Sequence, residues 1–153
     1  MFSTPRSLFR ALAIAEAITW TFLITALIVR AVTGFAALVT VAGGIHGFVF
    51  LSYGATAILL AINQRWHPGT AVLAIASAIV PYATVPVELW LDRTKRLDGA
   101  WRREATDDPR DAHWIDRAMR WFLRNPVILV VLVVAAVAAL FAVLLVVGPP
   151  GGK

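Results

Sequence analysis

Glu16 and His46 are the residues whose types and positions offer chemistry, because each interrupts a long apolar run. An ionisable group at membrane depth is expensive and marks a functional site by default. Glu16 reads either as a proton-carrying carboxyl or as a neutral acid that hydrogen-bonds a neighbouring helix and glues a bundle. His46 sits in Gly43-Gly44-Ile45-His46-Gly47 and shares a helical stripe with Phe50 and Tyr53. It reads either as a proton-carrying or ligand-binding imidazole, or as one bonded to a hydroxyl or carbonyl next door. Tyr82 and Glu88 complete a candidate polar seam of Glu16, His46, Tyr53, Tyr82 and Glu88. At 1.5 Å per residue, Glu16 lies about 12 Å from the outer end of its span, Tyr53 about 13–14 Å and His46 near 24 Å. That arithmetic pairs Glu16 with Tyr53, and a direct Glu16–His46 contact needs a shift or a water.

Other chemistries find no support. The chain has no cysteine, so it offers neither disulfides nor thiolates. Its three histidines are far apart, which argues against a zinc site. His46 and His67 fall at opposite ends of one span and cannot share a haem. There is no P-loop, G-x-S-x-G or H-E-x-x-H motif. No cofactor and no enzymatic activity are expected.

The elements that must position these residues are apolar spans. The hydrophobic fraction is 59% over 153 residues and the mean hydropathy is +0.77, more apolar surface than a soluble chain this size could bury. A first span runs from about Leu8 to Val29, with Ser3 or Thr4 as cap and Pro5 in the first turn. It is too long for a signal-peptide core, and Glu16 interrupts it, so it reads as a retained span. A second runs from about Phe35 to Ile62. There Gly43, Gly47 and Gly54 form a small-residue face for close helix packing. A third runs from about Thr70 to Leu91, with a kink or break expected at Pro81 and Pro86. A fourth, Val127 to Val147, is nearly pure Val, Leu and Ala. Each is near the roughly 20 residues that cross a bilayer. The expected fold is an all-α, four-transmembrane-helix bundle with an amphipathic interfacial helix between helices 3 and 4. It divides into a core (1–96), a basic segment (97–126), the fourth helix (127–147) and a disordered tail (148–153).

Charge concentrates between spans three and four. Nine of 14 Lys+Arg fall between Arg93 and Arg124, and seven of nine acids between Asp92 and Asp116. Within that stretch a helix is expected with Asp108 as cap and Pro109 in its first turn. Trp114, Ile115, Ala118, Met119, Phe122 and Leu123 sweep one face; Arg110, His113, Arg117, Arg120 and Arg124 lie opposite, and Trp121 adds a boundary aromatic. This describes a helix lying in the interface, or one packed on a partner protein. Basic residues flanking apolar spans suit anionic lipid headgroups better than nucleic acid. Arg102-Arg103 and its neighbours read as a solvated charge run, with contact to acidic lipid as the alternative. The Lys/Arg counts put the 92–126 segment in the cytoplasm and both termini outside, with Arg6, Arg10 and Arg65 opposite the basic segment. The location expected is a bacterial cytoplasmic membrane, crossed several times.

Four features in order resemble the YdzA-like family of small bacterial integral membrane proteins, whose function is unknown. They are Arg10–Ala17, the Gly44–Tyr53 stretch, Gln64-Arg65-Trp66, and the Pro81…Glu88-Leu89-Trp90 close. The resemblance covers residues 6 to about 96. It implies a three-helix membrane fold with Glu16, His46 and Tyr53 as marked polar positions, and it leaves the function open. Three functions compete: an accessory subunit assembling with itself or a larger membrane complex, an oligomeric proton-coupled transporter using Glu16 and His46, and a lipid- or quinone-binding subunit.

Overall fold

The computed structural model describes residues 4–147, all of whose regular structure is helical. The expected tail, 148–153, lies outside the described residues. Helix α1 spans Pro5–Thr33. Thr4 caps it through its side chain, Ser7 returns the bond, and Pro5 occupies the first turn, where a missing N–H has no consequence. Gly34 ends it in the left-handed conformation, φ 77°, which glycine adopts without strain. Helix α2, Ala37–Asn63, follows immediately and packs along α1. Helix α6, Pro126–Val147, is the third long apolar element. By length and composition, α1, α2 and α6 can each cross a bilayer.

The third apolar stretch behaves differently. Helix α3, Pro68–Ala76, starts where the His67 side chain accepts from the Gly69 amide at 3.2 Å. It tightens into a 3-10 turn at Ser77–Ile79 and stops. Pro81 explains the stop: it lacks an N–H and its ring clashes with the preceding turn. Val80, forced out of the helical region by that proline, is extended at φ −101° and ψ 124°. Tyr82 is left-handed at φ 65°. Helix α4, Thr84–Arg93, then starts afresh, and Pro86 falls in its first turn, where it is tolerated.

Contacts along α1 show where α4 goes. Thr84 Oγ1 donates to the Ala13 carbonyl (3.1 Å), Arg10 pairs with Glu88 (2.8 Å), and Arg6 pairs with Asp92 (2.5 Å). At the other limit, Trp20 Nε1 donates to the Ala78 carbonyl (3.3 Å) and Thr21 meets the Tyr82 hydroxyl (3.3 Å). The α3–α4 pair therefore descends to about the middle of α1 and returns to the end it left. Trp66 Nε1 donating to the Arg96 carbonyl at 2.8 Å closes that hairpin. Phe9, Tyr53, Leu60, Ala74, Leu91 and Leu97 form the buried core inside it.

This return corrects two expectations. The stretch Thr70–Leu91 is a broken hairpin and not a fourth full-length helix. Arg6, Arg10 and Arg65 lie at the same end of the bundle as the 92–126 segment, not opposite it. Helix α6 begins at that end, beside Leu8 and Leu59, and reaches Gly44 and Gly47 with Phe141. The two ends of the described chain thus lie at opposite ends of the bundle.

Candidate functional site

Glu16 is 0% exposed, and among the described residues neither of its carboxylate oxygens has a hydrogen-bond partner. Helix α1 aims it inward on the same stripe as Phe9 and Ala13, both buried. Across from it, α2 presents His46, whose Nδ1 stands 3.8 Å from Glu16 Oε2, too far for a hydrogen bond. His46 Nδ1 instead meets Thr19 Oγ1 at 3.1 Å. That hydroxyl donates to the Glu16 carbonyl at 3.0 Å, the usual bond of a helical threonine. A hydroxyl has one hydrogen to give, so with that hydrogen on the carbonyl the matching imidazole is the tautomer protonated at Nδ1. The ring lies against Trp20, with centroids 4.4 Å apart, and near Phe50.

The seam expected from sequence divides into separate groups. Glu16 and His46 come together with Thr19, so the Glu16–Tyr53 pairing is corrected. The arithmetic placed the outer ends of α1 and α2 level. In fact Phe9 stacks with Tyr53 (5.2 Å) and Thr19 bonds His46, so the helices are offset by roughly one to two turns. The Tyr53 hydroxyl is committed elsewhere: it donates to the Ala74 carbonyl at 3.1 Å and contacts Ser77 Oγ at 3.1 Å. Glu88 is buried against Arg10. Tyr82 is 45% exposed at the hairpin tip and lies outside any seam.

The glycines also part company. A Cβ on Gly47 would stand 3.1 Å from the Phe141 ring, so Gly47 permits the approach of α6. Gly43 faces Leu23 with slack at 3.9 Å, and Gly54 faces open space among the described residues. The small-residue face is closely packed at Gly47 alone.

At the polar end, sequence reasoning missed a charged knot. Arg65, left-handed at the end of α2, reaches Asp108 (2.6 Å), Asp111 (2.5 Å) and Asp116 (3.4 Å). Arg102 donates to the Asn63 and Ile62 carbonyls at 2.5 and 2.7 Å, capping the C-terminus of α2, and pairs with Asp116 at 2.7 Å. Arg102 is therefore a cap and not part of a solvated run. Arg120 is buried and pairs with Asp111 at 3.0 Å, so it leaves the basic face assigned to it. Hydrogen bonds from Thr106, then the Arg65 and Arg120 charges, hold the Asp111 carboxyl below its ordinary range. Arg110 does the same for Asp108. The signal available in sequence was the near balance of acids and bases in this stretch.

Asp108 caps a separate 3-10 turn, Pro109–Ala112, and helix α5 begins only at Trp114, running to Arg124. It docks through Met119, Leu123 and Arg120. Trp114, Arg117, Trp121 and Arg124 are exposed. Among the described residues no cluster of three or more His, Asp or Glu could hold a metal. The buried centre brings two ionisable side chains, Glu16 and His46, face to face.

A family model described as Domain of unknown function (DUF3817) matches residues 6–93. The chain belongs to this family. The DUF3817 match takes in α1, α2 and the returning hairpin, and with them Glu16, His46 and Tyr53. It stops before α5 and α6. A relative from Streptomyces coelicolor, named "Putative membrane protein SCO5905", is 34% identical over 91 residues. That stretch is 58% of this chain and 11% of the relative, so the similarity spans a small part of that protein. No solved structure matches the chain. The name of the relative and the three long apolar helices identify a membrane protein of unknown function in a lipid bilayer.

Proposed function

We propose that the chain is a non-enzymatic accessory subunit of a bacterial cytoplasmic membrane, assembling with itself or with a larger membrane protein. One observation carries this reading. At the tip of the α3–α4 hairpin, Ile79 is 66% exposed and Val80 57%, beside non-helical backbone at the level of Trp20, in the middle of α1. Lipid offers no hydrogen bonds to such backbone, so irregular segments at this depth are covered by protein or line a cavity. A covering neighbour meets that need. The S. coelicolor relative, in which the similar stretch is a small part of a long chain, is consistent with a module that works against further protein.

In this reading α1, α2 and α6 cross the membrane, the hairpin enters and leaves on one side, and α5 lies in the interface through its exposed Trp114, Trp121, Arg117 and Arg124. Every Lys and Arg among the described residues except Arg30 belongs to the 92–126 end. The positive-inside rule then places that end, with the N-terminal end of α1, in the cytoplasm. The YdzA-like placement belongs to this reading too, supported by the Gly44–Tyr53 motif.

The test is the mass of the particle solubilised from native membranes in mild detergent. The reading expects a dimer, a larger assembly or a stoichiometric partner, lost in Ile79→Arg. A monomer with nothing attached overturns it.

A second reading, proton-coupled transport by an oligomer, rests on the unpartnered Glu16 carboxyl facing His46. It expects a proton flux in vesicles that Glu16→Gln abolishes while the particle mass is unchanged.

A further inference from the structure

A cleft of about 270 Å³ opens between the polar end of α2 and the first turns of α6. Leu8, Thr56, Leu59, Leu129 and Val133 form its apolar wall, and Trp101 and Arg103 stand at its mouth. Three features distinguish it from an ordinary gap between helices.

The first is its depth. Arg102 caps the carbonyls of Ile62 and Asn63, so Arg103 sits where α2 ends. Thr56 lies about 10 Å further along α2, at 1.5 Å per residue. The cleft thus runs inward from the polar end along the apolar walls.

The second is its charge. Arg103 is exposed and, unlike Arg102, makes no ion pair among the described residues, Glu104 beside it included. Arg124 Nε donates to the Arg103 carbonyl at 2.8 Å, which fixes this loop and brings a second cation to the same rim. Two arginines at one apolar mouth call for an anion there.

The third is Thr56 itself. It is 7% exposed and places the one hydroxyl among the residues that line the cleft. A hydroxyl on an otherwise apolar wall can donate to an acceptor lying in the cleft, and an ester carbonyl is the acceptor that a membrane supplies.

We propose that this cleft binds one anionic phospholipid, with an acyl chain along Leu59, Leu129 and Val133, the phosphate at Arg103, and the ester region within reach of Thr56. Free phosphate would satisfy the arginine but leave the apolar walls and Thr56 unoccupied. The site involves neither the hairpin tip nor Glu16 and is independent of both functional readings.

Native mass spectrometry of the full chain tests it, after reconstitution into nanodiscs of equal phosphatidylglycerol and phosphatidylcholine. One phosphatidylglycerol should stay bound through collisional release. Arg103→Gln should lower its retention roughly fivefold, the effect of one basic side chain at a membrane surface. Val133→Trp, which fills the cleft, should abolish it. Arg117→Gln, an exposed arginine away from the cleft, should leave it unchanged, and excess glycerol phosphate should not compete. Helical content by circular dichroism checks that each variant folds. Equal retention of the two lipids, indifference to Arg103→Gln, an equal loss in Arg117→Gln, or displacement by glycerol phosphate would each overturn the proposal.

Discussion

His46 Nδ1 stands 3.8 Å from Glu16 Oε2, facing it across the α1–α2 contact and too far for a hydrogen bond. A carboxyl that served as helix glue would be bonded to its neighbour. Glu16 is fully buried, with no such bond among the described residues.

Glu16→Leu therefore separates structure from function. Removing two buried oxygens that have no donors should stabilise the protein by about 1–3 kcal/mol, or leave it unchanged. Thermal unfolding in detergent measures this. A loss of stability of that size would show that Glu16 holds the bundle together. His46→Phe keeps the packing against Trp20 and the Thr19 bond to the Glu16 carbonyl but removes the imidazole contact to Thr19 Oγ1, and should cost about 1 kcal/mol or less.

Arg10→Ala should destabilise by about 1–3 kcal/mol, because it leaves the buried Glu88 carboxylate unpaired. Glu88→Gln keeps an acceptor for Arg10 and should cost less. The two melting temperatures check the order, and equal losses would show that the charge on Glu88 is irrelevant.

The pH dependence follows from Asp111. Its carboxyl is held low in the folded state, so its contribution is present above the ordinary aspartate range and is lost as pH falls through the folded value. Stability should stay flat from neutral pH down to about 4, then fall. Emission from the nearby tryptophans reports the transition. Asp111→Asn should shrink this acid limb, to which Asp108 also contributes, and lower stability at neutral pH, since Arg120 loses its counter-charge and Arg65 keeps only Asp108 and Asp116.

The Gly47→Val substitution should loosen α6 from α2 by about 1–3 kcal/mol, because a Cβ there already meets Phe141 at 3.1 Å. Gly54→Ala should be near neutral in the isolated chain, since nothing stands within 4 Å. Paired melts of the two variants test this contrast.

These contrasts show what the sequence carried. The cap at Thr4, the first, second and fourth apolar spans and the break near Pro81 follow from local rules and are present, whereas Asp108 caps a short 3-10 turn and not the amphipathic helix expected of it. The burial of Glu16, His46 and Tyr53 was legible too, because polar residues in apolar runs must turn inward. The return of the α3–α4 hairpin was not. Hydropathy measures how many apolar residues follow one another, and Thr70–Leu91 has enough to cross a bilayer whether or not the helix resumes its direction after Pro81. Arg120 was misread for a related reason. A helical wheel shows which face a residue shares, and Asp111 reaches Arg120 from outside the helix. The register of Glu16 failed because the ends of α1 and α2 are not level, and only Phe9–Tyr53 and Thr19–His46 reveal the offset.

The central claim is that residues 68–93 leave and re-enter at one side of the membrane. The chain has no cysteine, so single cysteines placed at the exposed positions Phe35, His67 and Asp98 can be labelled with a membrane-impermeant maleimide in sealed vesicles of known orientation. The account predicts that His67→Cys and Asp98→Cys label from the same side and Phe35→Cys from the other. Labelling of positions 67 and 98 from opposite sides would contradict it and restore four crossings.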